Sequence, residues 1–220
     1  MPSVQPRAVL TVLGAFFVAL AGAVALIGVL PADTAVREAL LGLATPAVVA
    51  AMRLVNYGGD WRVLLPGTLV LLVAFPRARE RWWIWLTLMI AAPMTEGLLK
   101  IAIARPRPEG PAFGFPSGHA TAAAAFCGAL LYLSASLPLA TRRLVRALAI
   151  VGVLLVGLAR VILRAHWPSD VLGGITLGLA LASLAAIVAS LDGKPVANHD
   201  LARQRLAQNP RLSVANTARR

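Results

Sequence analysis

The stretch AVLTVLGAFFVALAGAVALIGVL, residues 8–30, runs for 23 positions without a charged side chain and is closed by Pro31. A bilayer core is crossed by about 20 apolar residues in helical form, so this segment is long enough to span. A secretory signal would offer a shorter apolar core and a small-x-small cleavage site, and with only Arg7 ahead of it and no such site behind, the segment reads as an uncleaved span. Moving outward, further apolar blocks lie at about residues 59–75, 82–104, 118–137, 144–163 and 168–191. Backbone left unpaired in lipid is costly, and barrel strands would be about half this length and alternating, so the blocks are expected to be helices. The fold class is therefore all-α, a bundle of six transmembrane helices. Between the first two spans, from Thr34 to about Tyr57, Arg37, Glu38 and Arg53 interrupt the apolar residues and Pro46 breaks the middle, with Asp33 or Thr34 available to cap the start. That amphipathic segment is expected to lie at the interface or to fold over the spans.

The 220 residues are 59% hydrophobic with a mean hydropathy of +0.77, yet the formal net charge is +12. Such a basic balance in a soluble chain would point to nucleic acid; here the cations have first to be placed against the apolar blocks. With six spans, one set of loops and termini holds 13 Lys and Arg (Arg7, Arg77, Arg79, Arg81, Arg142, Arg143, Arg146, Lys194, Arg203, Arg205, Arg211, Arg219 and Arg220). The other holds 8 (Arg37, Arg53, Arg62, Lys100, Arg105, Arg107, Arg160 and Arg164). The richer set is assigned to the cytoplasm, which puts both termini inside. Trp61 and Trp167 then mark outer ends and Trp82, Trp83 and Trp85 an inner end, as an aromatic belt requires. Residues 1–191 form the expected membrane domain. Residues 192–220 are expected to be a basic, disordered cytoplasmic tail drawn to anionic lipid, with a short helix over Asp200–Gln208 and His199 a solvated bystander. Cys127 is the single cysteine, so no internal disulfide forms, and no Cys/His cluster has zinc spacing.

Three polar clusters fall on the expected outer side. Lys100, Arg105 and Arg107 end the third span, Pro116-Ser117-Gly118-His119 opens the fourth, and Arg160 with His166-Trp167-Pro168-Ser169-Asp170 joins the fifth to the sixth. Ionisable groups at span ends are expensive, so three of them on one side call for a shared purpose. Lys100, Arg107 and Arg160 can neutralise a phosphoryl group and the charge its transition state spreads over oxygen. The Ser117-Gly118 turn starts a helix, adding free N–H groups and a positive dipole end. His166 and Asp170 are four apart, so the carboxylate can take one imidazole proton and free the other nitrogen to attack phosphorus. His119 remains as the acid for the leaving alkoxide. Neither metal nor cofactor is required by this arrangement.

Lys100 with six residues before Arg107-Pro108, then Pro116-Ser117-Gly118-His119, then Arg160 with five residues before His166 and three more before Asp170, resembles the three-part signature of the type 2 phosphatidic acid phosphatase superfamily. Its members include membrane lipid phosphatases, glucose-6-phosphatase and soluble vanadium haloperoxidases. The resemblance implies a phosphohistidine on His166, oriented by Asp170, with His119 as general acid. It implies that Lys100, Arg107, Ser117, Gly118 and Arg160 hold the phosphate. One position departs: Ala159 stands where the family has Ser before the last arginine, removing one hydroxyl donor.

Taken singly, each histidine reads as a loop histidine at a helix start, and the cations read as headgroup anchors. That second reading is retained for Arg105 and Arg164, candidate headgroup contacts. Glu96, one turn before Lys100, is expected to be its ion-pair partner, and the small residues Ala120–Ala125 and Gly173-Gly174 to serve close helix packing. The expectation is thus a membrane lipid phosphatase with its site facing the exterior. Its partners would be the bilayer and a lipid phosphate or diphosphate, undecaprenyl diphosphate-like or phosphatidate-like, and not nucleic acid; oligomeric state is left open. The rival classes are a vanadate-dependent haloperoxidase, which the apolar span at residues 8–30 disfavours, and a lipid-binding or transport protein, which would not need the spaced His166 and Asp170.

Overall fold

A computed structural model describes residues 5–191. Five of its helices begin with proline at the first turn, where the missing N–H is no loss and the fixed φ suits the helix. These are α1 (Pro6–Ile27), α2 (Pro31–Leu41), α3 (Pro46–Asn56), α5 (Pro76–Glu80) and α9 (Pro168–Leu191). The others are α4 (Trp61–Ala74), α6 (Trp82–Ile103), α7 (Gly118–Leu133) and α8 (Leu139–Ile162), and the described residues are all-helical apart from turns and one isolated bridge between Pro106 and Phe113. Side chains cap two of the starts: Thr45 Oγ1 accepts from Val48 N–H at 3.3 Å, and Asp60 Oδ1 accepts from Arg62 N–H at 2.9 Å.

Five helical stretches are long and apolar enough to cross a membrane: α1, α6, α7 with its 3-10 extension to Ser136, α8 and α9. Large apolar side chains stand exposed on them, among them Val18 at 68%, Leu98 at 68% and Leu154 at 60%, a surface tenable only in lipid. The protein is therefore a multi-pass membrane protein. The second expected span differs. It forms α4, only 14 residues, because Gly59 belongs to a 3-10 turn, Asp60 caps the helix start and Phe75 lies past its end, before the new helix at Pro76. At 1.5 Å per residue α4 reaches roughly 21 Å, short of a hydrocarbon core of about 30 Å. The bent pair α2 and α3, broken by 116°, reaches span length only if counted together. Of the two placements expected for this amphipathic segment, it folds over the spans, packing against α8.

Helix α8 also begins earlier than expected, at Leu139, taking in Arg142 and Arg143. Arg146 accounts for part of this: its Nε donates to Ser134 Oγ at 3.1 Å and its Nη2 to Leu131 O at 3.4 Å, tying the end of α7 to the start of α8. The small residues pack as expected. Ala120, Ala124 and Ala125 on α7 are fully buried, and a Cβ on Gly174 of α9 would stand 2.5 Å from Ser117 O. Only hydrogen on Cα lets the start of α9 approach the start of α7 so closely.

By contacts the chain divides into a unit spanning Met1–Ile187 and a second spanning Val188–Arg220, of which the described part is the end of α9. The expected basic tail, its short helix and His199 lie outside the described residues.

Candidate active site

Helix α6 runs to Ile103 and is terminated by Ala104, whose left-handed φ of 51° turns the chain back while its N–H still reaches Lys100 O at 2.9 Å. The loop that follows carries Arg105 and Arg107 to the end of the bundle where α7 starts. There Ser117 is the cap of α7, and the first N–H groups of that helix have no partner within it. The link between α8 and α9 brings His166, and the first turn of α9 Asp170, to the same end.

A cavity of about 590 Å³ opens at this meeting point. Of the residues expected to form the site, Lys100, Arg107, Gly118, His119, Arg160 and His166 all line it. Asp170 lies behind His166, fully buried. His166 Nδ1 faces Asp170 Oδ2 at 3.4 Å, and the same oxygen accepts from Trp167 N–H at 3.0 Å. That contact engages Nδ1 and leaves Nε2 as the nitrogen with a free lone pair. Burial is the main reason that the His166 pKa falls from 6.5 to about 4; the hydrogen bond to Asp170 opposes the shift and the Arg160 charge adds to it. The imidazole is therefore neutral at neutral pH.

Each cation has a brace. Lys100 is ion-paired with Glu96, one turn earlier on α6, as expected. Arg107 Nε donates to Phe113 O at 3.0 Å. Arg160 Nη1 donates to Asn56 Oδ1 at 2.6 Å, while its buried Nε has no protein partner. Ser117 does not line the cavity. It is fully buried, its N–H goes to Asp170 O at 2.9 Å, and its hydroxyl is unpaired. Arg160 Nε is thus an unpaired donor on a residue that lines the cationic pocket, and the Ser117 hydroxyl a buried unpaired one on the residue before Gly118, which lines it.

The two candidate headgroup contacts part company. Arg105 is corrected: it is 3% exposed, because the left-handed turn at Ala104 directs the chain so that its guanidinium enters the interior. Its Nη1 donates to Asp170 Oδ1 at 2.6 Å and Ser169 Oγ at 2.7 Å, and its Nη2 to Asp33 Oδ2 at 2.5 Å. Arg164 stays at the surface, paired at 3.3 Å with Glu109, which Arg37 also holds at 2.7 Å.

Four site residues escaped the sequence reading. Asp60 and Gly59 line the cavity, Asn56 braces Arg160 and Asp33 holds Arg105. A Cβ on Gly59 would sit 2.7 Å from the His119 Cβ, so this glycine is what lets the turn before α4 close on the general-acid candidate. Asn56 and Gly59 stand in a segment whose pattern says only that it is amphipathic, and Asp33 and Asp60 look like ordinary helix caps. Among the described residues no group of three or more His, Cys, Asp or Glu is gathered as a metal site would need.

The rest of the lining is largely apolar, with Leu64 and Leu65 beside Thr68 from α4, and Leu86, Met89, Ile90 and Pro93 from α6. A cationic end beside a neutral, braced imidazole can bind a phosphoryl group and attack it, and the apolar wall suits a hydrocarbon chain.

Comparison with known proteins agrees with this geometry. The chain is 32% identical over 177 residues to phosphatidylglycerophosphatase B of Bacillus subtilis, covering 76% of this chain and 87% of that one. It is 31% identical over 173 residues to decaprenylphosphoryl-5-phosphoribose phosphatase of Mycobacterium tuberculosis, covering 72% and 88%. The crystal structure of a transmembrane PAP2-type phosphatidylglycerolphosphate phosphatase from Bacillus subtilis superposes with a TM-score of 0.71 at 28% identity, covering 88% of this chain and all of that one. The profile of the PAP2 superfamily matches residues 81–192, which include every member of the three polar clusters, and the chain belongs to that superfamily.

Proposed function

We propose that this membrane phosphatase hydrolyses a phosphate ester carried by a lipid, through a phosphohistidine on His166. The observation that carries the reading is the single cavity in which His166, His119 and the cations Lys100, Arg107 and Arg160 meet an apolar wall from α4 and α6. In the first step the lone pair of His166 Nε2 forms a bond to phosphorus while the ester P–O bond breaks. Its electron pair leaves on the alkoxide oxygen, which takes the proton of His119. In the second, His119 removes a proton from water, the resulting oxygen bonds phosphorus and the P–N bond breaks, returning neutral His166. Lys100, Arg107 and Arg160 stabilise the charge on the phosphoryl oxygens in both steps, joined by the N–H groups at the start of α7 and the Ser117 hydroxyl.

The lipid tail lies along the wall between α4 and α6, with the headgroup at the cationic end. The relatives' names favour a phosphomonoester on a lipid-linked headgroup over the undecaprenyl diphosphate type. With α4 counted as the second of six spans, a short one that a locally thinner bilayer accommodates, the site faces the exterior and both termini the cytoplasm, since 13 of the 21 Lys and Arg fall on the side opposite the site; a reporter fused after Arg220 should read cytoplasmic, and an external signal inverts this orientation. Residues 1–191 act as the catalytic membrane domain and residues 192–220 as a basic appendage. The test is phosphate release from defined lipid phosphates by detergent-solubilised protein with EDTA present. Wild type should release phosphate and His166→Ala should not. Equal release by both removes His166 as nucleophile, and loss of wild-type activity in EDTA contradicts a reaction run on protein cations.

A further inference from the structure

The network behind His166 contains one more carboxylate than orientation of the imidazole requires. Asp170 Oδ1 is held by Arg105 Nη1 at 2.6 Å, and a carboxylate neutralised by a buried guanidinium has little field left for a histidine. The balance is restored from α2. Asp33 accepts Arg105 Nη2 at 2.5 Å, Ser169 N–H at 2.8 Å and Ser169 Oγ–H at 2.7 Å. Asp33 is 2% exposed, Arg105 3% and Asp170 0%, so little solvent screens the three.

We propose that Asp33 and Arg105 are positioning residues for the nucleophile, a buried relay in which Arg105 fixes the Asp170 carboxylate and Asp33 returns the negative charge that Arg105 would otherwise cancel. Two carboxylates and one guanidinium leave one net negative charge behind His166. This matters in the phosphoryl-transfer step of the mechanism proposed above, on which the inference rests. As Nε2 gives its lone pair to phosphorus the ring becomes cationic, with the proton on Nδ1 facing Asp170 Oδ2. The relay stabilises that cation where a neutral Arg105–Asp170 pair would not. It also explains why α2 lies over the bundle: Asp33 reaches across from the third residue of that helix to the first turn of α9.

The test is a double-mutant cycle on the full-length protein in detergent with a lipid phosphate, with His166→Ala alongside. Asp33→Asn should lower kcat by about 10- to 100-fold, the range seen when an outer partner of a site ligand is removed, with KM little changed. In an Asp170→Asn background the same substitution should lower kcat far less, because the relay is already cut. A kcat for Asp33→Asn equal to wild type overturns the relay, and so does an effect that multiplies in full with Asp170→Asn, the signature of a merely structural carboxylate. Should Asp33→Asn not accumulate as folded protein, Ser169→Ala, which removes one of the donors to Asp33, is read by the same cycle and the same two failures. If His166→Ala itself keeps wild-type activity, the nucleophile assignment has failed and not the relay alone.

Discussion

At the scale of single residues, the proposed chemistry depends on keeping His166 neutral and Arg160 in place. Burial is the main influence on His166 and lowers its pKa to about 4, so the attacking lone pair is available above that pH and lost below it. The acid limb of the kcat/KM profile should accordingly be centred near pH 4; a limb centred at an ordinary histidine pKa of about 6.5 would show that the imidazole is not desolvated as the structure has it. Arg160 depends on a residue far away in the chain. Its Nη1 donates to Asn56 Oδ1 at 2.6 Å, and a hydrogen bond to a charged group contributes about 1.5–3 kcal/mol. Asn56→Ala should therefore lower kcat/KM about 10- to 100-fold, checked by steady-state kinetics, and an unchanged value would mean that Arg160 is held by its own packing. These two residues differ in how they could be read beforehand. His166 and Asp170 are four apart, so their relation is local and spacing alone conveys it. Asn56 meets Arg160 only because α3 packs on α8, and nothing in its own neighbourhood records that.

At the scale of elements, hydrophobic run length located every long helix, because residues 8–30, 82–104 and 168–191 are each predominantly apolar over span length. It placed α4 to within two residues, 59–75 against Trp61–Ala74, with the helix geometry ending at Ala74 before Pro76. It misjudged the start of α8 because Arg142 and Arg143 were taken to precede the span, whereas both sit within the helix, whose Arg146 reaches back to the end of α7. The close pairing of α7 with α9 was legible from small residues, and it carries a consequence for the site. A Cβ on Gly174 would lie 2.5 Å from Ser117 O and 3.0 Å from the Ala120 Cβ, so α9 could not approach the Ser117-Gly118 turn. Gly174→Ala should destabilise the protein by about 1–3 kcal/mol through overpacking and reduce activity. On α1, Gly22→Ala meets nothing within 4 Å and should leave both unchanged. Melting in detergent measures the contrast, and equal melting temperatures for the two variants would mean that α7 and α9 are not in close contact.

At the scale of the molecule, the high hydropathy and the net charge of +12 describe one arrangement. Of the 21 cations, 13 fall on the side assigned to the cytoplasm, and the remaining 8 include the three that line the cavity. The cavity joins that polar end to an apolar wall running along α6 from Lys100 back to Leu86. These residues are 14 apart, which at 1.5 Å per residue is roughly 21 Å of helix. A small water-soluble phosphate ester would use only the polar end, so this length is explicable if a hydrocarbon chain occupies the rest. Filling the wall should then separate the two kinds of substrate. Met89, near the Leu86 end of it, replaced by Trp would occupy the space of the tail while leaving Lys100, Arg107, Arg160 and the histidines untouched. Met89→Trp should raise KM for a long-chain lipid phosphate and leave the KM of a short-chain soluble analogue unchanged, with kcat for the analogue preserved because the reacting end is intact. If both KM values rise together the substitution has disturbed the phosphate site, and if neither moves the tail lies outside the wall between α4 and α6. Only a selective rise supports a headgroup held at the cationic end with its chain between these two helices.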